Sequence, residues 1–127
     1  MGVAELELIH QTVSRISFTN NFDSEASIEL EINFRLTTER LEPSEDDEIV
    51  VRSQLHQSIQ HKADDPLFSL EISLVGSFSC KGSTTDLDEE LNQQVYDQLF
   101  PFMKALVARI TMDAGLPPLM LTKQSLS

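Results

Sequence analysis

The chain has 127 residues, 40% of them hydrophobic, and a formal charge of −12, which fits one domain spanning 1–127 with a modest core. No apolar run approaches the ~20 residues of a membrane span, and "MGVAELELIH" carries glutamates in place of a basic n-region, so neither an anchor nor a secretory signal is expected. Nine scattered lysines and arginines against 21 acids argue against nucleic acid or anionic membrane as a partner, since phosphate binding needs clustered cations.

Lipidation is not expected either, because a leucine stands where a myristoylation site after Gly2 needs Ser or Thr. The single cysteine, Cys80, excludes an internal disulfide and fits a reducing cytoplasm. Acidity of this size serves solubility first, and is compatible with a basic protein surface.

Along the chain, "LELIHQTVSRISF" (6–18) reads as a strand whose phase slips in the middle, and a bulge near Gln11–Val13 would account for the slip. "TNNFDSEA" (19–26) is the first connection. In "SIELEINFRLT" (27–37), Ile28, Leu30, Ile32, Phe34 and Leu36 alternate with polar residues, the period-two signature of a half-buried antiparallel strand. "EIVVRSQLHQSIQ" (48–60) alternates less cleanly, but "EPSEDDE" (42–48) and "KADDP" (62–66) bound it with loop formers. "LFSLEISLVGSFSC" (67–80) places Phe68, Leu70, Ile72, Leu74, Phe78 and Cys80 on one side. Gly76 falls on that same side, where something approaches the backbone or a bulge sits.

From Thr85 the period becomes helical. Asp86 and Glu89 make a capping pair, and Leu87, Leu91, Val95, Leu99, Phe102, Leu106 and Ile110 recur at three- and four-residue steps. Gly115 and Pro117 end the element. Proline in a helix interior costs ~3 kcal/mol, so Pro101 is expected to open a second segment, giving 86–99 and 101–114 with a bend between them. The predicted class is α+β: a four-stranded antiparallel sheet followed by a long C-terminal helix bent near Pro101.

Such a sheet is more than one helix can cover. A strand over 27–37 is about 36 Å long and four strands are ~15–19 Å wide, whereas a helix shields a stripe ~10 Å across. Tyr96, Phe100, Met103, Val107 and Met112 also make the helix apolar beyond its main stripe. A second copy of the chain is the expected cover.

"LFPFMKALVARITMDAGLPPLMLT" (99–122) resembles the C-terminal signature of SecB-type protein-export chaperones, in which a Phe-Pro-aromatic step opens the main helix and a Gly-x-Pro-x-Leu-x-Leu-like tail follows it. "FSLEISLVGSF" is similar to that family's fourth strand, and "RISF" to the end of its first. The resemblance implies a SecB-like fold assembled as a dimer of dimers. It also implies an ATP-independent holdase that keeps unfolded or precursor polypeptides translocation-competent in apolar grooves between sheet and helix. Glu71 matches an acidic contact for the SecA motor, while Arg15 and Thr19 stand where acids are expected, and "LTKQSLS" carries no zinc-binding Cys/His cluster. A SecB-fold module dedicated to one partner, such as a toxin–antitoxin component, is the alternative.

The candidate client-binding residues are Gly76, Phe78, Phe100, Phe102, Met103, Leu116, Leu119 and Leu121, each weighed against ordinary core or subunit packing. Leu99, Leu106, Val107 and Ile110 are the candidate oligomer interface. His10, His56 and His61 lack ligand spacing, so no metal is expected. Asp46–Asp47 and Asp64–Asp65 lie in expected turns, and no nucleophile motif or phosphate loop is present. An enzyme and a cofactor are therefore not expected.

Overall fold

The structure is a computed structural model that describes residues 5–21, 29–40, 49–81 and 88–124. Strands β1 (Glu5–Asn20), β2 (Leu30–Arg40), β3 (Ile49–His61) and β4 (Phe68–Lys81) precede a helix, α1 (Asp88–Asp113). All pairings are antiparallel and the strand order is β1-β4-β3-β2, which makes β1 and β2 the two edges. The α+β class expected from the change of period is the one found.

Alternation fixes the faces. Phe68, Leu70, Ile72, Leu74 and Phe78 of β4 are buried, and the ladder sets Val51, Leu55 and Ile59 of β3 on the same inner face. Ile32, Phe34 and Leu36 of β2 continue that face and are half-buried. The muddled pattern of β3 has a local cause. Ser53 and Gln57 hold inner-face positions and are buried, but the Ser53 hydroxyl donates to the Thr37 carbonyl (2.9 Å) and the Gln57 amide to the Asn33 carbonyl (3.0 Å). A buried polar group with its partner costs little.

Three expectations are corrected. The second strand begins at Leu30 and runs to Arg40, because the β3 ladder carries on through Thr38↔Ser53 and Arg40↔Val51 after apolar alternation has ended. β1 has two one-residue register shifts, between Leu8 and His10 and between Val13 and Arg15, flanking the Gln11–Val13 position instead of one bulge within it. Two extra residues restore the original phase, which is why the slip looks central in the sequence. Third, α1 is one element with Pro101 inside it, not two segments. The buried Leu99, Phe100 and Met103 around the proline show why: tertiary packing on both sides offsets one missing helical hydrogen bond. The capping pair Asp86–Glu89 and the Asp46–Asp47 turn lie outside the described residues or side chains.

The buried line of α1 also departs from the expected stripe. It is Leu91, Val95, Leu99, Met103, Val107 and Thr111, with Tyr96 and Phe100 beside it. Past the proline it follows steps of four instead of moving to Phe102. A four-residue step overshoots a helical turn by about 40°, so the buried line winds around the helix, starting on the sheet and ending at Thr111 beneath the chain that follows the helix.

Candidate functional site

The inner face is covered in its middle and open at its edge. Ile16 pairs with Ile72 and Val13 with Leu74, so both share the face of those buried residues, yet Ile16 is 49% and Val13 38% exposed. The start of β1 is held differently. The Leu6 amide donates to the Gln94 side chain (2.9 Å), and the Gln98 amide group donates to the Leu6 carbonyl (2.8 Å). Two glutamines one turn apart on α1 thus satisfy one residue of an edge strand that otherwise invites pairing. They were not singled out in the sequence, although polar residues four apart beside an apolar stripe are a readable signal.

Gly76 lies opposite Gln11 and Ser53. A Cβ there would come within 2.9 Å of the Phe78 ring and 3.0 Å of Leu99, so the missing side chain is what admits the helix to the sheet. Gln11 on the adjoining strand has an occluded side-chain oxygen with no hydrogen-bond partner among the described residues. Phe78, Phe100 and Met103 are buried in the protomer, Leu99 and Val107 likewise, and Leu106 and Ile110 are half-buried. Phe102 is exposed, together with Met112 and Met120.

The helix closes with two reversing hydrogen bonds, Leu116 amide to Thr111 carbonyl (3.1 Å) and Gly115 amide to Met112 carbonyl (3.0 Å), with Gly115 at φ 83°. That left-handed residue turns the chain back on itself. Residues 116–124 then run beside α1 without regular structure. Leu121 is buried and Leu116 and Leu119 pack against the core. The Thr111 hydroxyl donates to the Val107 carbonyl (2.9 Å) and accepts from the Leu119 amide (2.9 Å); the Gln124 amide donates to the Tyr96 hydroxyl (3.0 Å). Tyr96 is itself stacked on Phe34 at 5.0 Å and tilted against Phe100 at 5.5 Å. Lys123 Nζ lies 2.6 Å from Asp97 Oδ1. The Lys123 hydrogen bond holds the Asp97 carboxyl below its usual range against the opposing effect of partial burial, with further help from Gln93. The pair is therefore intact above about pH 4 and is lost as pH falls through the lowered value.

Glu71 stands on the opposite, outer face. His56 shares that face, its Nε2 4.0 Å from Glu71 and its Nδ1 2.8 Å from the Ser73 hydroxyl. The ladder aligns Arg35, His56, Ser73 and Arg15 in one row across all four strands, and Thr19 lies on the same face near its end. Among the described residues no group of three or more His, Cys, Asp or Glu is placed to hold a metal ion, and no helix is long and apolar enough to cross a membrane.

The protein thus joins an edge-open sheet to a helix packed on it and a proline-led tail that returns along that helix. Residues 5–124 match the family of the preprotein translocase subunit SecB. The chain belongs to the SecB family. The protein-export protein SecB of Ruegeria sp. strain TM1040 is 27% identical over 120 residues, covering 91% of this chain and 73% of that protein. SecB of Wolbachia pipientis from Culex pipiens is 39% identical over 62 residues, which is 46% of this chain and 37% of that one. The fold is shared with a SecB-like chaperone of Mycobacterium tuberculosis solved with a ChAD peptide from the HigA1 antitoxin (TM-score 0.67, 18% identity, 94% of this chain and 90% of that). A protein of unknown function from Streptococcus agalactiae has it too (TM-score 0.70, 13% identity, 96% and 100% covered). SecB proteins are chaperones and not an enzyme family.

Proposed function

We propose that this SecB-family protein is an ATP-independent holdase that binds unfolded or precursor polypeptides along the strip between sheet and helix, protecting them from aggregation or keeping them fit for translocation. One observation carries the reading: the large apolar side chains of Val13 and Ile16 on the inner face of β1 remain open, and Phe102, Met112 and Met120 in the chain's helical half are exposed as well. Surface of this kind is a docking surface or an aggregation hazard. Phe78, Phe100 and Met103 lie buried and Leu99 covers Gly76, so a client reaches these residues only as the strip opens, with Leu116, Leu119 and Leu121 as one wall. Flexible methionines and aromatic rings suit guests of unrelated sequence. The −12 charge keeps the loaded complex dissolved, and neither nucleotide nor metal enters the mechanism.

Sister subunits share the open surface in this reading, with α1 residues Leu106 and Ile110 towards a second copy and a dimer of dimers as the assembly, working in the cytoplasm. Glu71 is the contact offered to a SecA-type motor, though Arg15 lies on the same face.

The test is the aggregation of a refolding model protein without nucleotide. Suppression at stoichiometric ratios is expected; no protection at severalfold excess would sink the holdase reading. The second reading is a module dedicated to one partner, favoured by Arg15 and Thr19 on the outer face and by the peptide-bound SecB-like neighbour. Affinity capture from the native host separates the two: many unrelated precursors for the first, one stoichiometric partner for the second.

A further inference from the structure

One row of the inner face is polar from edge to edge. Thr38, Ser53, Gly76 and Gln11 lie side by side on β2, β3, β4 and β1, between a row that holds Phe78 and one that holds Leu74 and Val13. Three of the four are accounted for. The Ser53 hydroxyl donates to the Thr37 carbonyl (2.9 Å), so it accepts from the Thr38 hydroxyl (3.0 Å), and Gly76 has no side chain and is covered by Leu99. Gln11 is the exception: its side-chain oxygen is occluded and has no hydrogen-bond partner among the described residues. Its place on this face is not a default of the strand. Leu8 and Ile16 face inward in the plain period of two, and on that phase Gln11 and Val13 would face outward. The register shifts between Leu8 and His10 and between Val13 and Arg15 turn these two residues inward and then restore the phase. Val13 and Ile16, the next inner-face residues of this edge strand, are exposed. Gln11 therefore stands about 7 Å from the open apolar strip, as the polar group at its inner end.

We propose that Gln11 reads the main chain of the guest: its side-chain oxygen swings out and accepts a backbone N–H from an extended polypeptide lying on Val13 and Ile16. This rests on the holdase reading. An acceptor already paired within the fold gains little from a guest, because one hydrogen bond is exchanged for another. Gln11 breaks none when it turns outward, so the guest's N–H is a net gain, and a larger one once the guest has excluded water from the strip. Only such a difference between the free and bound states favours binding. Folded proteins have their backbone N–H groups engaged in helices and sheets, whereas an unfolded chain offers them along its whole length. Val13 and Ile16 draw apolar surface of any kind, and Gln11 selects from it what is unfolded.

Gln11→Met in the full chain is the test, since methionine keeps the length and flexibility of glutamine and discards the acceptor. Two probes are titrated separately: a fluorescently labelled, reduced and carboxymethylated model polypeptide, and Nile red, an apolar dye without a hydrogen-bond donor. The variant is expected to bind the polypeptide about five- to tenfold more weakly, the loss of one sheltered hydrogen bond. Dye affinity should stay the same or rise, and the thermal midpoint should rise by a few degrees as the orphaned oxygen is removed. Apolar contact alone predicts the opposite for the polypeptide, because methionine adds apolar area. If the wild type binds the polypeptide and the variant binds it as tightly or more so, the reading role is overturned and the holdase reading stands. Parallel loss of both probes also overturns it, since the strip itself is then damaged. A lower thermal midpoint or a changed light-scattering mass shows that the oxygen is already paired, in the fold or with a sister subunit, and overturns it too. If the wild type binds no polypeptide, the holdase reading and this one fall together.

Discussion

At the scale of single residues, a few small or polar side chains decide what the large ones can do. Gly76 is the clearest. Its inner-face position between β1 and β3 is filled from above by Leu99 and from beside by the Phe78 ring, both fully buried. Gly76→Ala is expected to lower stability by about 1–3 kcal/mol through overpacking, seen as a lower denaturant midpoint with an unchanged slope; a change under a few tenths would mean that the helix is not seated on this backbone. Thr111 does two jobs with one hydroxyl, donating back into its own helix and accepting from the tail. Threonine at such a place is legible in sequence only as a gap in an apolar line. Its partner eight residues on is not, because nothing local says that the chain will turn back at Gly115 and pass it again.

Elements follow the same division. Strand alternation and the switch to helical period locate all five elements, since burial of one face imposes a period of two or 3.6 wherever the backbone is regular. Their ends and continuity are settled by neighbours. β2 extends through Thr37–Arg40 because β3 is there to pair with it, and α1 passes through Pro101 because its flanking side chains are buried against the sheet. Proline has no N–H to offer the Asp97 carbonyl, and Pro101 itself is exposed. Pro101→Ala is therefore expected to raise stability by about 1–3 kcal/mol, read as a higher thermal midpoint. A lower midpoint would show that the proline sets a geometry the packing needs. The expected stripe through Phe102, Leu106 and Ile110 failed for a related reason. Two adjacent apolar lines run the length of this helix, and the hydropathy of Met103 and Val107 does not say which line is buried.

For the whole molecule the issue is the exposed part of the inner face. Ile16 is opposite the fully buried Ile72 but half-exposed itself, so a charge placed there meets water in an isolated protomer and apolar surface in an assembly. Ile16→Glu is expected to leave the folded content by circular dichroism intact and to shift the light-scattering mass towards the protomer. An unchanged oligomer would put the subunit contact elsewhere, and a wild-type protein that scatters as a monomer at micromolar concentration would remove the assembly from the proposed function.

From the amino-acid order alone came the class, the strand faces, the helix, the turn at Gly115 and the likeness to SecB, because each depends on residues close together in the chain or on a local motif. Three things depended on tertiary structure: the burial of the helix line through Met103 and Val107, the seating of Leu99 over Gly76, and the return of Lys123 to Asp97. These join segments far apart in sequence, and their energies come from contacts that exist only once the sheet, the helix and the tail are in register with one another.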